Sequence, residues 1–190
     1  MRALPGQTLS RFGPRANDNP TLDRHDAVVE LSIEPMNDSD WPQVREVYAQ
    51  GIATGQAAFA ERPPSWDDWD RGHLRECRLV ARRGNWVVGF AALSPASQRP
   101  AYRGVAEVSL YVAAAERGSG VGRALGEGLV TASERAGIWT LEGWVFPENR
   151  VSLALCEALG CRVVGVRERL GKMGDRWRDV VLVERRSSTL

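Results

Sequence analysis

The sequence predicts a mixed α/β fold of the α+β kind, with one sheet and helices packed on it. Short runs in which apolar and polar residues alternate are typical of strands, and longer runs with apolar residues every three to four positions are typical of helices. Capping residues and glycines stand where these runs begin and end. The 190 residues, 43% of them hydrophobic, are enough for one domain with a sizeable core.

Seven runs are predicted to be strands, because each lies between turn signals and alternates or is rich in β-branched and aromatic residues. In the first, Val29, Leu31 and Ile33 alternate with polar neighbours. Gly84-Asn85 marks a tight hairpin turn between the second and the third. The predicted strands are 28–34, 78–82, 86–93, 106–112, 138–146, 162–169 and 177–183, with a turn at 171–174 before the last.

Four runs are predicted to be helices from their caps and their periodicity. Pro42 suits the first turn of the first helix, where a missing amide costs little. Ser65 and Asn149 carry side chains suited to N-caps, and Gly137 and Gly160 suit the position after a helix end. The predicted helices run from 38 or 39 to 54, 65 to 77, 120 to 136 and 149 to 159.

The domain is expected to occupy residues 28–186. Residues 1–27 contain three prolines and two glycines with little periodicity, which predicts a mobile N-terminal extension. Residues 187–190 are expected to form a short C-terminal tail.

Composition excludes several classes of function. Twenty-five basic residues against twenty-four acidic ones argue against a partner that is nucleic acid or a membrane surface. Three cysteines without a C-x-x-C pair indicate reduced thiols rather than a disulfide framework or a zinc site, and the two histidines fit no metal site or triad. The sequence shows neither a membrane-length apolar run nor a signal peptide, so a cytoplasmic protein without a metal is expected.

The stretch 107–130 carries the strongest functional signal. A strand leads into a glycine-rich turn, with Arg117 and Arg123 at its ends, and then into a helix. Glycines allow a ligand to approach the backbone, and the first amides of a helix lack intrahelical partners. The helix dipole and the arginines favour a negative charge, so the turn predicts a phosphate site. The glycines of the turn are Gly118, Gly120 and Gly122.

The spacing of the turn excludes two known phosphate loops. A Walker loop has Lys-Ser or Lys-Thr after its last glycine, where this chain has Arg123-Ala124. The dinucleotide fingerprint requires a glycine where Arg123 stands. What remains is Arg-x-x-Gly-x-Gly at Arg117, Gly120 and Gly122, alongside the alternative of an ordinary glycine turn that opens a helix.

This motif resembles the Gln/Arg-x-x-Gly-x-Gly/Ala pyrophosphate loop of the GNAT superfamily of N-acetyltransferases, and the order of elements resembles the fold of that superfamily over residues 28–185. The segments "YAQGIATGQAAF", "YRGVAEVSLYV", "FPENRVSLALCEALG" and "GDRWRDVVLVE" are similar to the phosphinothricin and methionine sulfoximine acetyltransferase group. The resemblance implies a mixed, mostly antiparallel sheet of about 6–7 strands flanked by about four helices. It also implies acetyl-CoA as co-substrate and a homodimer.

By the same resemblance, Glu107 is the general base that removes a proton from the attacking amine, directly or through water. The alternative is a strand glutamate that faces solvent or pairs with Arg103. The strand after Glu107 is expected to separate from its neighbour at a bulge, so that the cofactor lies in the gap, whereas a fully paired strand is the alternative. The residues implied to bind acetyl-CoA are Leu110, Tyr111, Val112, Arg117, Gly118, Ser119, Gly120, Val121, Gly122, Arg123, Asn149 and Ser152.

Two positions in the fourth helix have competing interpretations. Asn149 matches a family asparagine that holds the cofactor, and it also suits a simple N-cap. Cys156 stands where many members of the superfamily have a tyrosine that acts as general acid. A thiol can donate a proton, but free cysteine is most often buried, which favours a packing role.

The acceptor is expected to be the α-amine of a small amino acid of the phosphinothricin, methionine sulfoximine or methionine sulfone type. Arg99 and Arg103 are candidates to bind its carboxylate, or else ordinary surface arginines. Phe59 is expected in the same pocket, with a core position as its alternative. Another amine, such as a peptide N-terminus or a polyamine, or a non-catalytic acyl-CoA sensor, remains open. The residues predicted to contact the substrate are Phe59, Arg99, Arg103, Glu107, Val108 and Ser109.

Overall fold

The computed structural model describes residues 29–190. The predicted N-terminal extension, residues 1–27, lies outside the described residues, as does Val28. The strands are β1 (Leu31–Pro35), β2 (Arg78–Arg83), β3 (Trp86–Pro95), β4 (Val105–Val112), β5 (Thr140–Val145), β6 (Arg162–Met173) and β7 (Arg176–Arg186). The helices are α1 (Trp41–Ile52), α2 (Trp66–Gly72), α3 (Val121–Arg135) and α4 (Arg150–Ala158), with short 3-10 turns at 38–40, 75–77, 100–102 and 114–116.

The seven strands form one sheet in the order β1-β2-β3-β4-β5-β7-β6. β4 and β5 run parallel, because α3 connects them across the sheet, and the other neighbours are antiparallel. The predicted fold class, a mostly antiparallel mixed sheet with four helices, is confirmed. None of the helices in residues 29–190 combines the length and the apolar character that a membrane crossing demands.

The alternating side chains of the central strands build a core on each face of the sheet. On one face, Val121, Leu125 and Leu129 of α3 pack against Ala91 and Leu93 of β3. The other core lies beneath α1 and α2 and contains Trp41, Val44, Val47, Trp69, Val80 and Phe90. At the far end of the sheet, α4 packs on Val145, Val181 and Val183.

The helix predicted for residues 65–77 is shorter than expected. α2 ends at Gly72, and His73 has extended dihedrals. The guanidinium of Arg78 donates to the carbonyl oxygens of Asp70 and His73, both at 2.7 Å. This tertiary contact satisfies the end of the helix, and a separate 3-10 turn follows at 75–77.

The turn predicted at 171–174 is displaced toward the C-terminus. β6 continues to Met173, so the hairpin turns at Gly174 and Asp175. The pairing of β6 with β7 shifts register between Arg167 and Gly171, and Arg169 there has a φ of 49°. Strand pairing therefore resumes after the irregularity, from Gly171 to Met173.

Candidate active site

β4 and β5 separate soon after they pair. Val105, Ala106 and Glu107 lie opposite residues 140–142 of β5, and no pairing follows in the remainder of the described β4. β4 stays paired with β3 in continuous register from Ala106 to Val112. The separation expected in the sequence is therefore confirmed, but the bulge expected to cause it is absent from the β3–β4 pairing.

The gap between the two strands is a solvent-accessible cavity. Residues 108–111 of β4 form one wall and residues 141–145 of β5 the other, with α3 and α4 contributing apolar side chains such as Leu129 and Leu155. Val108 and Ser109, predicted to contact substrate, line this cavity, as do Leu110 and Tyr111. An open strand edge can hydrogen-bond an extended ligand as if it were a further strand.

The side chains of β4 divide between the two faces as predicted. Val108, Leu110 and Val112 pack with the core beneath α3. The ring of Tyr111 lies on the other face, stacked at 5.2 Å on Phe90. Because the side chains of Leu110 and Val112 point out of the plane of the sheet, these two residues can contact a ligand in that plane through their backbone groups.

Glu107 occupies the last position at which β4 pairs with β5, where the gap opens. Its cross-strand partners are Ser94 on β3 and Glu142 on β5. The side chain is exposed by area, yet the protein around it partly desolvates the carboxylate. This desolvation, and then the negative charge of Glu142, raises the pKa of Glu107 above its ordinary value.

The glycine-rich turn has the backbone that its sequence predicts. Gly118 and Gly120 have φ angles of 79° and 89°, values that favour glycine. Gly120 is the N-cap of α3, and the amide of Ala124 donates to its carbonyl oxygen at 3.1 Å. The amides that precede Ala124 in the first turn have no carbonyl one turn back, so they are available to an anion.

The other predicted residues of the turn differ in what they offer a ligand. The side chain of Val121 is buried in the core, which leaves its amide as the group that can face a phosphate. Gly122 packs closely on α4, since a Cβ there would lie 3.4 Å from Leu155. Arg123 bonds Glu127 at 2.8 Å within the helix. Arg117 is exposed beside the carbonyl of Val112, and Ser119 donates to the carbonyl of Glu116 at 2.7 Å.

Asn149 is the N-cap of α4, as its residue type predicts. Its side-chain oxygen accepts from the amide of Ser152 at 3.1 Å, and its side-chain nitrogen donates to the carbonyl oxygen of Gln56 at 3.0 Å. Asn149 and Ser152 both line the cavity. The cap is confirmed, and contact with the cofactor stays a prediction.

Cys156 lines the cavity and also packs against Cys161 and Val145. The amide of Cys161 donates to the carbonyl oxygen of Cys156 at 2.9 Å, and that of Gly160 donates to Glu157 at 2.9 Å. Gly160 has a φ of 80°, so the helix ends in a Schellman motif in which the two thiols form the usual side-chain contact. The hydrogen bond with Cys161, followed by burial, raises the pKa of the Cys156 thiol.

The predicted substrate residues outside β4 are not among the residues that line the cavity. Phe59 is 38% exposed and meets Phe146 edge to face at 5.0 Å. Arg99 is exposed at the start of the 3-10 turn before β4. The guanidinium of Arg103 lies over the ring of Trp139 at 5.6 Å.

Sequence reasoning missed Glu142 and the cavity wall at Gln56 and Ala57. Glu142 adjoins Glu107 through the parallel pairing of two strands distant in sequence. No local pattern specifies that register. Gln56 and Ala57 lie in the alanine-rich segment after α1 that carries the family resemblance, but that segment gave no sign that these two residues form a wall of the cavity.

Within residues 29–190, no three His, Cys, Asp or Glu side chains are grouped so as to hold a metal ion. The turn and the open edge instead fit acetyl-CoA. Its diphosphate would accept hydrogen bonds from the first amides of α3, and its amide-bearing arm would pair with the free edge of β4.

Comparisons with known proteins identify the family of the chain. Residues 38–161 match the acetyltransferase (GNAT) family. A phosphinothricin N-acetyltransferase of Alcaligenes faecalis is 33% identical over 163 residues, covering 81% of each chain. An L-methionine sulfoximine/L-methionine sulfone acetyltransferase of Pseudomonas aeruginosa is 23% identical over 159 residues, covering 80% of this chain and 92% of that protein.

One of the similar solved structures contains bound acetyl-CoA. A GNAT superfamily phosphinothricin acetyltransferase from Sinorhizobium meliloti, in complex with acetyl-CoA, matches with a TM-score of 0.73 at 27% identity, over 82% of this chain and 88% of that one. The cradle for a diphosphate and the open edge of β4 thus occur in a fold that binds acetyl-CoA. The chain belongs to the acetyltransferase (GNAT) family and is an acetyl-CoA-dependent N-acetyltransferase.

Proposed function

We propose that the enzyme acetylates the α-amine of a small amino acid of the phosphinothricin, methionine sulfoximine or methionine sulfone type, with Glu107 as general base. The names of the relatives suggest this acceptor class. The observation that supports the mechanism is the position of Glu107 at the point where β4 and β5 separate.

Glu107 is suited to take the proton that the acceptor must lose. An ammonium has no lone pair, so the amine attacks only after deprotonation. The raised pKa of Glu107 strengthens the carboxylate as a base while leaving it ionised above that pKa. A water molecule can relay the proton if the amine does not reach the carboxylate.

The chain also supplies groups for binding and for charge stabilisation. Bound acetyl-CoA contributes a thioester carbonyl, whose oxygen gains negative charge as the amine attacks. Backbone amides of Leu110 and Val112 on the free edge of β4 are candidates to stabilise that charge, because the amide of Ala113 bonds Val88 of β3 and alternate amides of a strand point the same way. The first turn of α3, Asn149 and Ser152 would hold the remainder of the molecule in place.

On the acceptor side, Phe59 would supply an apolar wall, and Arg99 or Arg103 a cation for the carboxylate. A homodimer is part of the proposal, because apolar side chains are exposed at the β5-β7-β6 end of the sheet. They are Trp144, Val163, Val164, Val166 and Trp177, which are 37–61% exposed. Light scattering coupled to size exclusion tests the dimer.

A polyamine is the second candidate acceptor, and the adjacent carboxylates of Glu107 and Glu142 are the observation in its favour. Glu184 extends this row on β7. However, Arg162 and Arg186 pair with Glu184 at 2.6 and 3.4 Å. The row therefore offers a polycation less negative charge than three carboxylates suggest.

Release of free coenzyme A thiol from acetyl-CoA distinguishes the candidates. The panel consists of phosphinothricin, methionine sulfoximine, methionine sulfone and spermidine. We expect the kcat/KM for the amino acids to be at least about tenfold above that for spermidine, a difference of about 1.4 kcal/mol. Preference for spermidine would favour the second candidate. Binding of acetyl-CoA without turnover of any amine would indicate a sensor.

A further inference from the structure

Three successive carbonyl oxygens of the α1–α2 loop (residues 53–65) each accept a hydrogen bond from a different element. The bonds are Arg178 Nη1 to Gly55 O (3.1 Å), Asn149 Nδ2 to Gln56 O (3.0 Å) and Tyr111 Oη to Ala57 O (3.5 Å). The donors belong to β7, the cap of α4 and β4. Because Gln56 and Ala57 line the cavity, these bonds fix one of its walls.

Arg178 is the charged donor of the three and has the most contacts. It is 8% exposed, and its second terminal nitrogen bonds Glu148 at 3.2 Å. Its guanidinium also lies over the ring of Phe146 at 4.0 Å. A charge this deeply buried requires such partners. Arg178 thus connects the α1–α2 loop to the segment between β5 and α4.

The same contacts extend to Phe59. The ring of Phe146, stacked on Arg178, meets the ring of Phe59 at 5.0 Å and 87°. Gly171, the cross-strand partner of Arg178, lies under Phe59, and a Cβ there would come within 2.6 Å of its ring. Two points of the α1–α2 loop, Gly55 and Phe59, are therefore fixed by Arg178 and its neighbours.

We propose that Arg178 is a positioning residue that holds the α1–α2 loop and Phe59 in place, and so sets the affinity for the acceptor amine. The inference rests on the proposed function, which assigns Phe59 to the acceptor pocket. Lysine cannot substitute, because one ammonium lacks the planar fork that bonds Gly55 and Glu148 while stacking on Phe146.

Two measurements on Arg178→Met and Arg178→Lys test the role. The first is the rate at which a glutamate-specific protease cleaves after Glu61, inside the loop. The second is the separate KM of acceptor and acetyl-CoA. We expect cleavage to accelerate at least about fivefold and the acceptor KM to rise about tenfold. The KM of acetyl-CoA should rise less than the acceptor KM, because Gln56 and Ala57 of the same loop also line the cavity. Arg186→Met is the control, since Arg186 is an exposed cation of β7 that pairs with Glu184.

Gly171→Ala provides a second route, because it displaces the ring of Phe59 and leaves Arg178 intact. The acceptor KM should rise while the melting temperature changes little. If the Arg178 variants lower the melting temperature but change neither loop cleavage nor the acceptor KM, Arg178 is merely structural and the proposal is wrong. If the Arg178 variants are cleaved faster but the wild type acetylates no amine, the proposed function is wrong. The fixation of the loop by Arg178 would still be supported.

Discussion

Glu107 and Glu142 lie opposite each other at the last position where β4 and β5 pair. Paired residues of neighbouring strands direct their side chains to the same face, and such strands are about 4.8 Å apart. Two carboxylates are thus held together at the mouth of the gap. This proximity is the second cause, after desolvation, of the raised pKa of Glu107.

Replacing Glu142 with Gln should lower the pKa of Glu107 toward its ordinary value, because one of the two causes of the shift is removed. The acidic limb of the profile of kcat/KM against pH should then move to lower pH. Glu184→Gln, the next position along the row, is the control, since Arg162 and Arg186 already pair with Glu184. An acidic limb that stays in place would show that Glu142 does not act on the base.

Replacing Glu107 with Gln should reduce kcat about 10²–10⁴-fold at neutral pH, because the base is lost. A rate equal to that of the wild type across the pH range would exclude Glu107 as the base.

The same substitution should stabilise the fold at neutral pH. A carboxylate whose folded-state pKa is raised contributes its full stability below the unfolded pKa, and that contribution is lost as pH rises through the folded pKa. The free energy of unfolding of Glu107→Gln, measured in urea, should therefore exceed that of the wild type at pH 7. Near pH 4 the difference should become small, whereas a variant less stable at pH 7 would contradict the sign of the shift.

Features set by neighbouring residues in the chain could be predicted from the sequence. The alternation of 107–112 gives the two faces of β4, because successive side chains of a strand point in opposite directions. Asn149 and Gly160 identify the two ends of α4 through cap chemistry. The glycine turn predicts the start of α3 by the same local reasoning.

Features set by residues distant in the sequence could not be predicted in this way. Glu142 is 35 positions from Glu107 in the numbering, and only the parallel register of β4 and β5 makes them neighbours. Arg178 is a further example, because a single arginine in an alternating strand gives no sign that its guanidinium bonds Gly55, 123 positions away. Tertiary contact also decided the end of α2, where Arg78 binds the carbonyl oxygens that another helical turn would have used.

Replacing Gly120 with Ala should raise the KM of acetyl-CoA, because Gly120 has a φ of 89° at the N-cap of α3. An L-residue in this region costs about 1–2 kcal/mol, and relief of that strain would move the amides that face the diphosphate. Gly174→Ala, in the β6–β7 turn, is the matched control, since Gly174 has a φ of 58° and a Cβ there would meet no atom of residues 29–190 within 4 Å. Both variants should lose similar stability. An equal change in the KM of acetyl-CoA in both variants would show that the glycine turn has no specific role in binding the cofactor.

Replacing Cys156 with Ala should leave kcat unchanged and lower the free energy of unfolding by about 1 kcal/mol. The thiol packs against Cys161 in the Schellman motif, and its raised pKa makes it a poor donor of a proton to a leaving thiolate. Cys161→Ala removes the same contact from the other side, so the two variants should lose similar stability at full activity. A kcat that falls at least about tenfold in Cys156→Ala alone would instead assign Cys156 the role of general acid, because only that thiol would then contribute to the chemical step.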